Sequence, residues 1–141
     1  MARINVVTGA ASGIGLATAN LLRNRGETVI GVDLAGADIN VDLASPAGRL
    51  QASQAIQTLG AGHIDAVIAC AGVAMAAGES VIAVNYFGVV DLLPRLLPLL
   101  QASEAPRAVV ISSSASLLPS DQALVQACLT GGGGGCEIVG S

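Results

Sequence analysis

The chain has 141 residues, of which 52% are hydrophobic and 11% are charged, and its formal net charge is −4. This length fits one domain with a substantial core, and the apolar composition is typical of a buried parallel sheet. The acidic balance without a basic stripe argues against a nucleic-acid partner. Three scattered cysteines favour neither a disulfide framework nor a metal site. No segment has the pattern of a signal peptide or membrane span, so we expect a cytoplasmic protein.

Apolar runs of four to six residues alternate with helical patterns along the chain. In chain order the sequence predicts strands at 3–7, 28–32, 38–41, 65–70 and 108–112, and helices at 13–24, 46–59 and 80–102. Ser45 has the character of an N-cap, with Pro46 at the first helical position. This alternation predicts an α/β fold, a Rossmann-type doubly wound parallel sheet of about five strands. A ligand would bind at the carboxyl ends of the strands.

A glycine-rich turn follows the first predicted strand and opens the first helix. Its residues are Thr8, Gly9, Ala10, Ala11, Ser12, Gly13, Ile14 and Gly15. A strand, a glycine turn and a helix start together present backbone N–H groups to a phosphate. Gly9 permits the tight turn, Gly13 permits close approach of the phosphates, and Gly15 lets the helix pack on the strand. The turn therefore predicts a dinucleotide site.

Two aspartates follow the second and third predicted strands. The Asp33 carboxylate can accept hydrogen bonds from both hydroxyls of an adenine ribose and repel a 2′-phosphate, which favours NAD over NADP. A capping or loop role for Asp33 is the alternative. Asp42 with Leu43 could hold the adenine, through the carboxylate and an apolar contact, although a solvated loop aspartate fits the spacing nearly as well.

The long helix predicted at 80–102 contains Pro94 and Pro98. Because each proline interrupts the helical hydrogen-bond ladder, we expect a kink near Arg95 or an early end.

The sequence pattern changes after about Leu118, and residues 131–135 are five consecutive glycines. We therefore predict a cofactor-binding domain at 1–118 and an irregular, glycine-rich tail at 119–141.

Four segments fit the pattern of one enzyme family. The turn at 8–15 meets its Thr-Gly-x-x-x-Gly-x-Gly motif in full, and residues 69–72 replace its Asn-Asn-Ala-Gly segment with Ala-Cys-Ala-Gly. Asn85 and Ser113 match its helix asparagine and strand-end serine. From residue 3 to about 118 the chain resembles the short-chain dehydrogenase/reductase family. Its Cys-Ala-Gly and Val-Asn-Tyr-Phe-Gly segments are similar to those of the bacterial 3α-hydroxysteroid dehydrogenase/carbonyl reductases.

The resemblance implies hydride transfer between NAD(H) and a small alcohol or ketone. It implies that Cys70, Ala71 and Gly72 line the cofactor, although Cys70 also fits as a small apolar residue of the sheet. It further implies that Ser113 bonds the substrate oxygen and that Asn85 holds a water in the proton relay. Helices equivalent to 80–102 often form subunit interfaces in this family, so a homo-oligomer is also implied.

The family's Tyr-x-x-x-Lys pair has no counterpart in the sequence. The one tyrosine is Tyr86, Val90 stands four residues later, and the chain contains no lysine. The lysine matters because a nearby cation is needed to lower a tyrosine pKa from its ordinary value near 10. We hypothesise a truncation or frame shift near Thr130, where the composition changes abruptly. The alternatives are a non-catalytic dinucleotide-binding module and an unstable truncated product.

Overall fold

The computed structural model describes residues 2–131 and contains one sheet of five parallel strands. The strand order is β3-β2-β1-β4-β5. The strands are β1 (Ile4–Thr8), β2 (Thr28–Asp33), β3 (Ile39–Asn40), β4 (Ala66–Ala69) and β5 (Arg107–Val110). The order reverses between β1 and β4, which is the arrangement of a doubly wound sheet. The predicted Rossmann-type fold is confirmed.

Within residues 2–131, four helices accompany the sheet. They are α1 (Gly13–Asn24), α2 (Pro46–Leu59), α3 (Gly78–Gln101) and α4 (Gln122–Thr130). The predicted bounds of α1 and α2 are confirmed. At the start of α2 the Ser45 hydroxyl accepts a hydrogen bond from Gly48 N at 2.9 Å, and Pro46 occupies the first turn, as the sequence predicts.

The start of β2 at Thr28 is confirmed, and the other strand ends differ from their predicted positions by one or two residues. The largest relative change is β3, which has two residues where four were predicted. The reason is Asp38, whose Oδ2 accepts the Gly31 N–H at 2.7 Å. A side chain therefore takes the hydrogen bond that a longer β3 would supply from its backbone.

The main core lies between the sheet and the helices α2 and α3. On α3 the buried leucines Leu92, Leu96 and Leu99 recur at helical spacing. They pack with Val6, Ile30, Val32, Ile39, Leu43, Ala52, Ile56, Ile64, Val67 and Leu100. Full burial of one such side chain contributes about 1.5–3 kcal/mol to folding. This packing fixes α2 and α3 relative to the strand ends that carry the site.

Helix α3 is irregular in its first half. Its turn at Ala83–Phe87 is π-helical, and the helix breaks at Asp91 before continuing as Leu92–Gln101. Pro94 lacks the N–H that would donate to the Val90 carbonyl, so the α-helical ladder is interrupted just before it. The predicted early end is wrong, and the break lies at Asp91 and not near Arg95.

Among the described residues, α3 is the one helix long and apolar enough to cross a membrane by length and composition. No such segment was expected from the sequence. The leucines of its second half are buried against the sheet. The core helix of a globular domain can be as long and apolar as a membrane-spanning helix. The helix is therefore weak evidence for a membrane location.

The region after β5 is only partly irregular. A short 3-10 turn at Ser114–Leu117 precedes α4, which lies where the sequence predicted an irregular tail. That prediction is wrong for α4, because the Asp121 carboxylate accepts from Ala123 N and Leu124 N and caps the helix. The predictions for residues 132–141, including Cys136 and most of the glycine run, lie outside the described residues.

Candidate cofactor-binding site

A cleft lies at the carboxyl ends of β1, β2 and β4, where the strand order reverses. It encloses about 550 Å³ of empty volume, part of it open to solvent. Its lining consists of four chain segments, each at or just after the carboxyl end of one of the strands β1, β2, β3 and β4, together with Val84 of α3. The lining residues are Gly9, Ser12, Asp33, Leu34, Val41, Asp42, Leu43, Cys70, Ala71, Gly72, Val73 and Val84. Ligands of open α/β sheets bind at such a point.

Close backbone packing explains two of the three glycines in the turn. Gly9 has φ +68°, and a Cβ there would lie 2.9 Å from the Ala71 backbone. Its N–H donates to Val32 O at 2.8 Å, which ties the turn to β2. A Cβ on Gly15 would collide with the Gly9 carbonyl oxygen. A larger residue at Gly9 would push the turn away from the loop after β4, and one at Gly15 would push α1 away from the turn.

The start of α1 offers unsatisfied donors beside open space. Gly13 has φ +54°, and an added Cβ would meet nothing within 4 Å. Ser12 is the N-cap residue, but its side chain makes no capping hydrogen bond. The first-turn N–H groups that a cap would satisfy are therefore available to an anion. Ile14, in the same turn, is 61% exposed.

Asp33 links β2 to the glycine turn. Its Oδ2 accepts from Ala11 N at 2.9 Å, and its Oδ1 accepts from Leu34 N at 2.7 Å. These bonds fix the carboxylate at the rim of the cleft. An ionised carboxylate has about four acceptor positions, so capacity remains for ligand hydroxyls. Asp33 can therefore hold the loop and also bind the hydroxyls of a ribose.

Asp42 and Leu43 form the opposite wall of the cleft. The Asp42 carboxylate accepts from Ala44 N at 2.9 Å, and its carbonyl accepts from the Ser45 hydroxyl at 3.1 Å. Asp42 is exposed, whereas Leu43 is 5% exposed and belongs to the core. The carboxylate thus closes a turn ahead of α2, and Leu43 anchors that turn to the core.

Thr8 has a different role from the other residues of its motif. It is buried, and its Oγ1 accepts from Cys70 N and Ala71 N, both at 3.1 Å. The hydroxyl therefore joins the end of β1 to the loop after β4 and does not line the cleft. Burial raises the pKa of the half-buried Cys70 thiol, which keeps it protonated. This agrees with the interpretation of Cys70 as a small apolar residue.

Asn85 holds the loop after β4 from the side of α3. Its Oδ1 accepts from Val73 N at 2.8 Å, and its Nδ2 donates to Val73 O at 2.9 Å. A Cβ on Gly72 would lie 3.2 Å from Asn85 Oδ1, so a glycine allows this close approach. Asn85 lies in the π-helical turn of α3, a type of distortion that is frequent at functional sites.

Ser113 stands apart from the cleft residues. It is exposed, and its hydroxyl accepts from Ala115 N at 3.1 Å at the start of the 3-10 turn. Tyr86 packs edge-on against Phe87, with ring centroids 5.0 Å apart, and lies near Leu129 of α4. Tyr86 is therefore not among the residues that line the cleft.

The structure thus brings together eight of the twelve predicted cofactor residues. Those that do not line the cleft are Thr8, Gly13, Ile14 and Gly15, together with the two predicted catalytic residues Asn85 and Ser113. The cleft also contains lining residues that the sequence analysis did not select, namely Leu34, Val41, Val73 and Val84. Each is adjacent in sequence to a selected residue, and that adjacency is the signal that could have found them.

Comparison with known proteins identifies the family of this chain. Residues 3–128 match the family model of the short chain dehydrogenases. The chain belongs to this family. The predicted resemblance is therefore confirmed over nearly the whole described chain.

Individual short-chain dehydrogenases are similar over part of their length. The 3-alpha-hydroxysteroid dehydrogenase/carbonyl reductase of Comamonas testosteroni is 37% identical over 115 residues, covering 80% of this chain and 45% of that protein. A coniferyl-alcohol dehydrogenase of a Pseudomonas species is 40% identical over 103 residues, 68% of this chain and 39% of that enzyme. The chain spans about half the length of the curated relatives it matches.

Solved structures of the family give the same result. The 3-alpha-hydroxysteroid dehydrogenase from Pseudomonas sp. B-0831, solved with NADH, has 42% identity and a TM-score of 0.86 over 92% of this chain and 57% of that chain. The aldohexose dehydrogenase of Thermoplasma acidophilum has 29% identity and a TM-score of 0.69, covering 79% of this chain and 49% of that chain.

Proposed function

We propose that this chain binds NAD(H) in the cleft and is the cofactor-binding part of a short-chain dehydrogenase. The observation that carries the proposal is the fixed Asp33 carboxylate beside a glycine turn whose helix start is uncapped. The relative solved with NADH supports it further.

The residues of the cleft fit the parts of the dinucleotide in order along the sheet. The first turn of α1 would hold the pyrophosphate, Asp33 the adenine ribose, and the wall at Asp42 and Leu43 the adenine. Gly72 and its neighbours would lie against the nicotinamide half. None of the lining residues within 2–131 is basic, which supports NAD(H) over its phosphorylated form.

The reaction class follows from the family and from the relatives. Bound NAD(H) supplies or accepts a hydride, and the substrate would be an alcohol or ketone, with a hydroxysteroid as the class suggested by the similar enzymes. Ser113 could hydrogen-bond a substrate oxygen from the segment after β5. Asn85, by holding the loop after β4, would order the cleft beside the nicotinamide.

A second candidate function is a dinucleotide-binding module without turnover. It is favoured by the absence of lysine from the sequence and by the position of Tyr86 outside the cleft. The chain as given lacks the tyrosine–lysine pair that would hold and move the substrate proton. An unstable product is the third possibility, and the uniformly exposed strand β5 supports it.

One titration and one assay on the same sample test whether this chain binds NADH and whether it turns over substrate. NADH fluorescence is followed as this chain is added, and NADH oxidation is then recorded with a cyclic ketone. We expect saturable 1:1 binding and no oxidation above the rate without protein. Turnover by this chain would contradict the assignment of the missing acid–base pair. A folded chain that does not bind NADH would contradict the proposed function.

We also propose a cytoplasmic homo-oligomer formed through α3, with neither a membrane nor a nucleic-acid partner. Val90 and Leu97 are 42% and 50% exposed on α3, with Pro94 between them at helical spacing. This apolar stripe faces away from the buried leucines of the same helix. Sedimentation velocity of the chain and of its Leu97→Glu variant tests the interface, because the charge is expected to produce monomers.

A further inference from the structure

A buried arginine lies behind the wall of the cleft. Arg49 is 3% exposed and occupies the same face of α2 as Ala52 and Ile56, which are fully buried. A guanidinium in a core is stable only when its donors are paired, because its removal from water is costly. The hydrogen-bond partners of Arg49 therefore indicate its structural role.

Arg49 contacts three acceptors on two different segments. Its Nε donates to Asp91 Oδ2 at 2.6 Å, and its Nη1 donates to Leu43 O at 2.9 Å and Ala44 O at 3.1 Å. The two carbonyls belong to the wall that follows β3. Asp91 lies at the break in α3. The planar guanidinium thus ties the wall to α3 with bonds in more than one direction.

The opposite wall is tied to the same helix. Asn85, six residues before Asp91 on α3, holds Val73 of the loop after β4 through two hydrogen bonds. Each wall of the cleft is therefore fastened to the irregular half of α3, one through Asn85 and the other through Arg49 and Asp91. The relative position of the walls depends on these polar contacts.

We propose that Arg49 is a positioning residue for the adenosine half of the dinucleotide, which it orders by clamping the Leu43 and Ala44 carbonyls to Asp91. The inference rests on the proposed function in placing the adenine at Asp42 and Leu43. Its structural half, the clamp on the wall, stands on the contacts alone. Arg49 does not line the cleft, so it acts through the wall and not by touching the cofactor.

Three variants distinguish a clamp from a general contribution to folding. Arg49→Lys keeps the charge, but a single ammonium cannot reproduce the guanidinium fork toward Asp91 and both carbonyls. Arg49→Met keeps most of the apolar stem and removes every donor. Arg95→Gln is the matched control, because Arg95 is 38% exposed and contacts Asp91 Oδ1 at 3.3 Å without a hydrogen bond to the wall.

Hydrogen exchange of the chain without cofactor tests the clamp. The Ala44 and Ser45 amides are both hydrogen-bonded to Asp42, so they report whether the wall is ordered. In Arg49→Lys we expect roughly tenfold faster exchange at 42–45, the factor that corresponds to releasing one residue's backbone, with β1 and β4 unchanged. Arg95→Gln should leave the wall unchanged. Exchange that rises equally in the wall and the central strands, or not at all in the wall, would overturn the clamp.

Binding of ADP-ribose and NADH tests whether the clamp positions the adenosine half of the dinucleotide. We expect the Kd for ADP-ribose to rise roughly tenfold in Arg49→Lys, and by less than about threefold in Arg95→Gln, as for an exposed ion pair. Equal affinity in the wild type and Arg49→Lys would overturn the proposal. If the wild type binds neither ligand, the proposed function fails, and the exchange experiment still decides the clamp. If Arg49→Met does not fold, Arg49→Lys carries both tests.

Discussion

The glycine turn after β1 and the segment after β5 that carries Ser113 both lie at the carboxyl end of the sheet, but different hydrogen bonds hold them in place. The turn is cross-linked to distant chain, because Thr8 accepts from amides 62 and 63 residues away and Asp33 accepts from Ala11. The Ser113 hydroxyl and carbonyl accept from amides two and three residues away. Long-range polar contacts therefore fix the cofactor side, whereas local ones shape the segment expected to meet substrate.

Side-chain burial also differs between the two regions. Val6 and Val7 of β1 are fully buried, whereas every residue of β5 is exposed, with Val109 and Val110 each at 49%. Among the described residues, β5 pairs only with β4. The comparison indicates that the dinucleotide cleft is ordered by residues within this chain.

The largest expected effect is on the packed side, at Gly15. Gly15→Ala places a methyl group against the Gly9 carbonyl, a backbone atom that cannot move without opening the turn. We expect the free energy of unfolding to fall by about 3 kcal/mol in urea denaturation. Gly62→Ala is the control: its φ is +84° and its surroundings are open, so only the backbone cost of about 1 kcal/mol applies. Equal losses in the two variants would refute tight packing of the turn.

The second effect is on ligand discrimination at Asp33. Asp33→Ala removes the acceptor for the ribose hydroxyls, each bond to a charged group being worth about 1.5–3 kcal/mol. We expect NADH to bind at least about 100-fold more weakly and its preference over NADPH to disappear in calorimetric titrations. Asp38→Ala removes a carboxylate that supports the same strand through Gly31 but does not line the cleft. A variant Asp33→Ala that still prefers NADH would contradict the ribose assignment.

The third effect concerns acid stability at the opposite end of the sheet. Burial of Asp65 raises its pKa, but hydrogen bonds from Ser103, Ile4 N and His63 outweigh this and lower it to about 2. Since the folded pKa is below the unfolded value, Asp65 stabilises the fold above about pH 4, and this contribution is lost between pH 4 and 2. Asp65→Asn should be less stable at pH 7 and show a shallower acid transition.

The matched control for that experiment is Glu104→Gln, which changes an exposed carboxylate at the same end of the sheet. We expect it to retain the wild-type acid transition in circular dichroism. An acid transition of Asp65→Asn as steep as that of the wild type would show that the carboxylate is not the group that titrates.

The smallest effect on stability is expected on the exposed side. Val110→Lys adds a charge to the exposed edge strand and should change the free energy of unfolding by less than about 0.5 kcal/mol. It should nevertheless reduce self-association in light scattering, because the open side of an apolar edge strand is a template for other chains. Leu59→Lys, at a residue 55% exposed at the end of α2, is the control. Equal association of the two variants would show that β5 does not contribute to self-association.

Features fixed by interactions between residues close in sequence could be predicted, and features that depend on distant partners could not. The start of α2 was predictable because Ser45 and Pro46 act within one turn. The role of Thr8 was not, since its partners are more than 60 residues away. Arg49 was missed as well, because its partner Asp91 is 42 residues distant, although a basic residue in the pattern of Ala52 and Ile56 was a readable signal.

The central claim is that NADH binds in the cleft between β1, β2 and β4, and hydrogen exchange with and without NADH tests it most directly. The account predicts slower exchange in four segments, the glycine turn at 9–15, the end of β2 at 33–34, the wall at 42–43 and the loop at 70–73. It predicts no change at β5 or α4. Protection confined to β5 and α4, or none in a folded chain at saturating NADH, would contradict it.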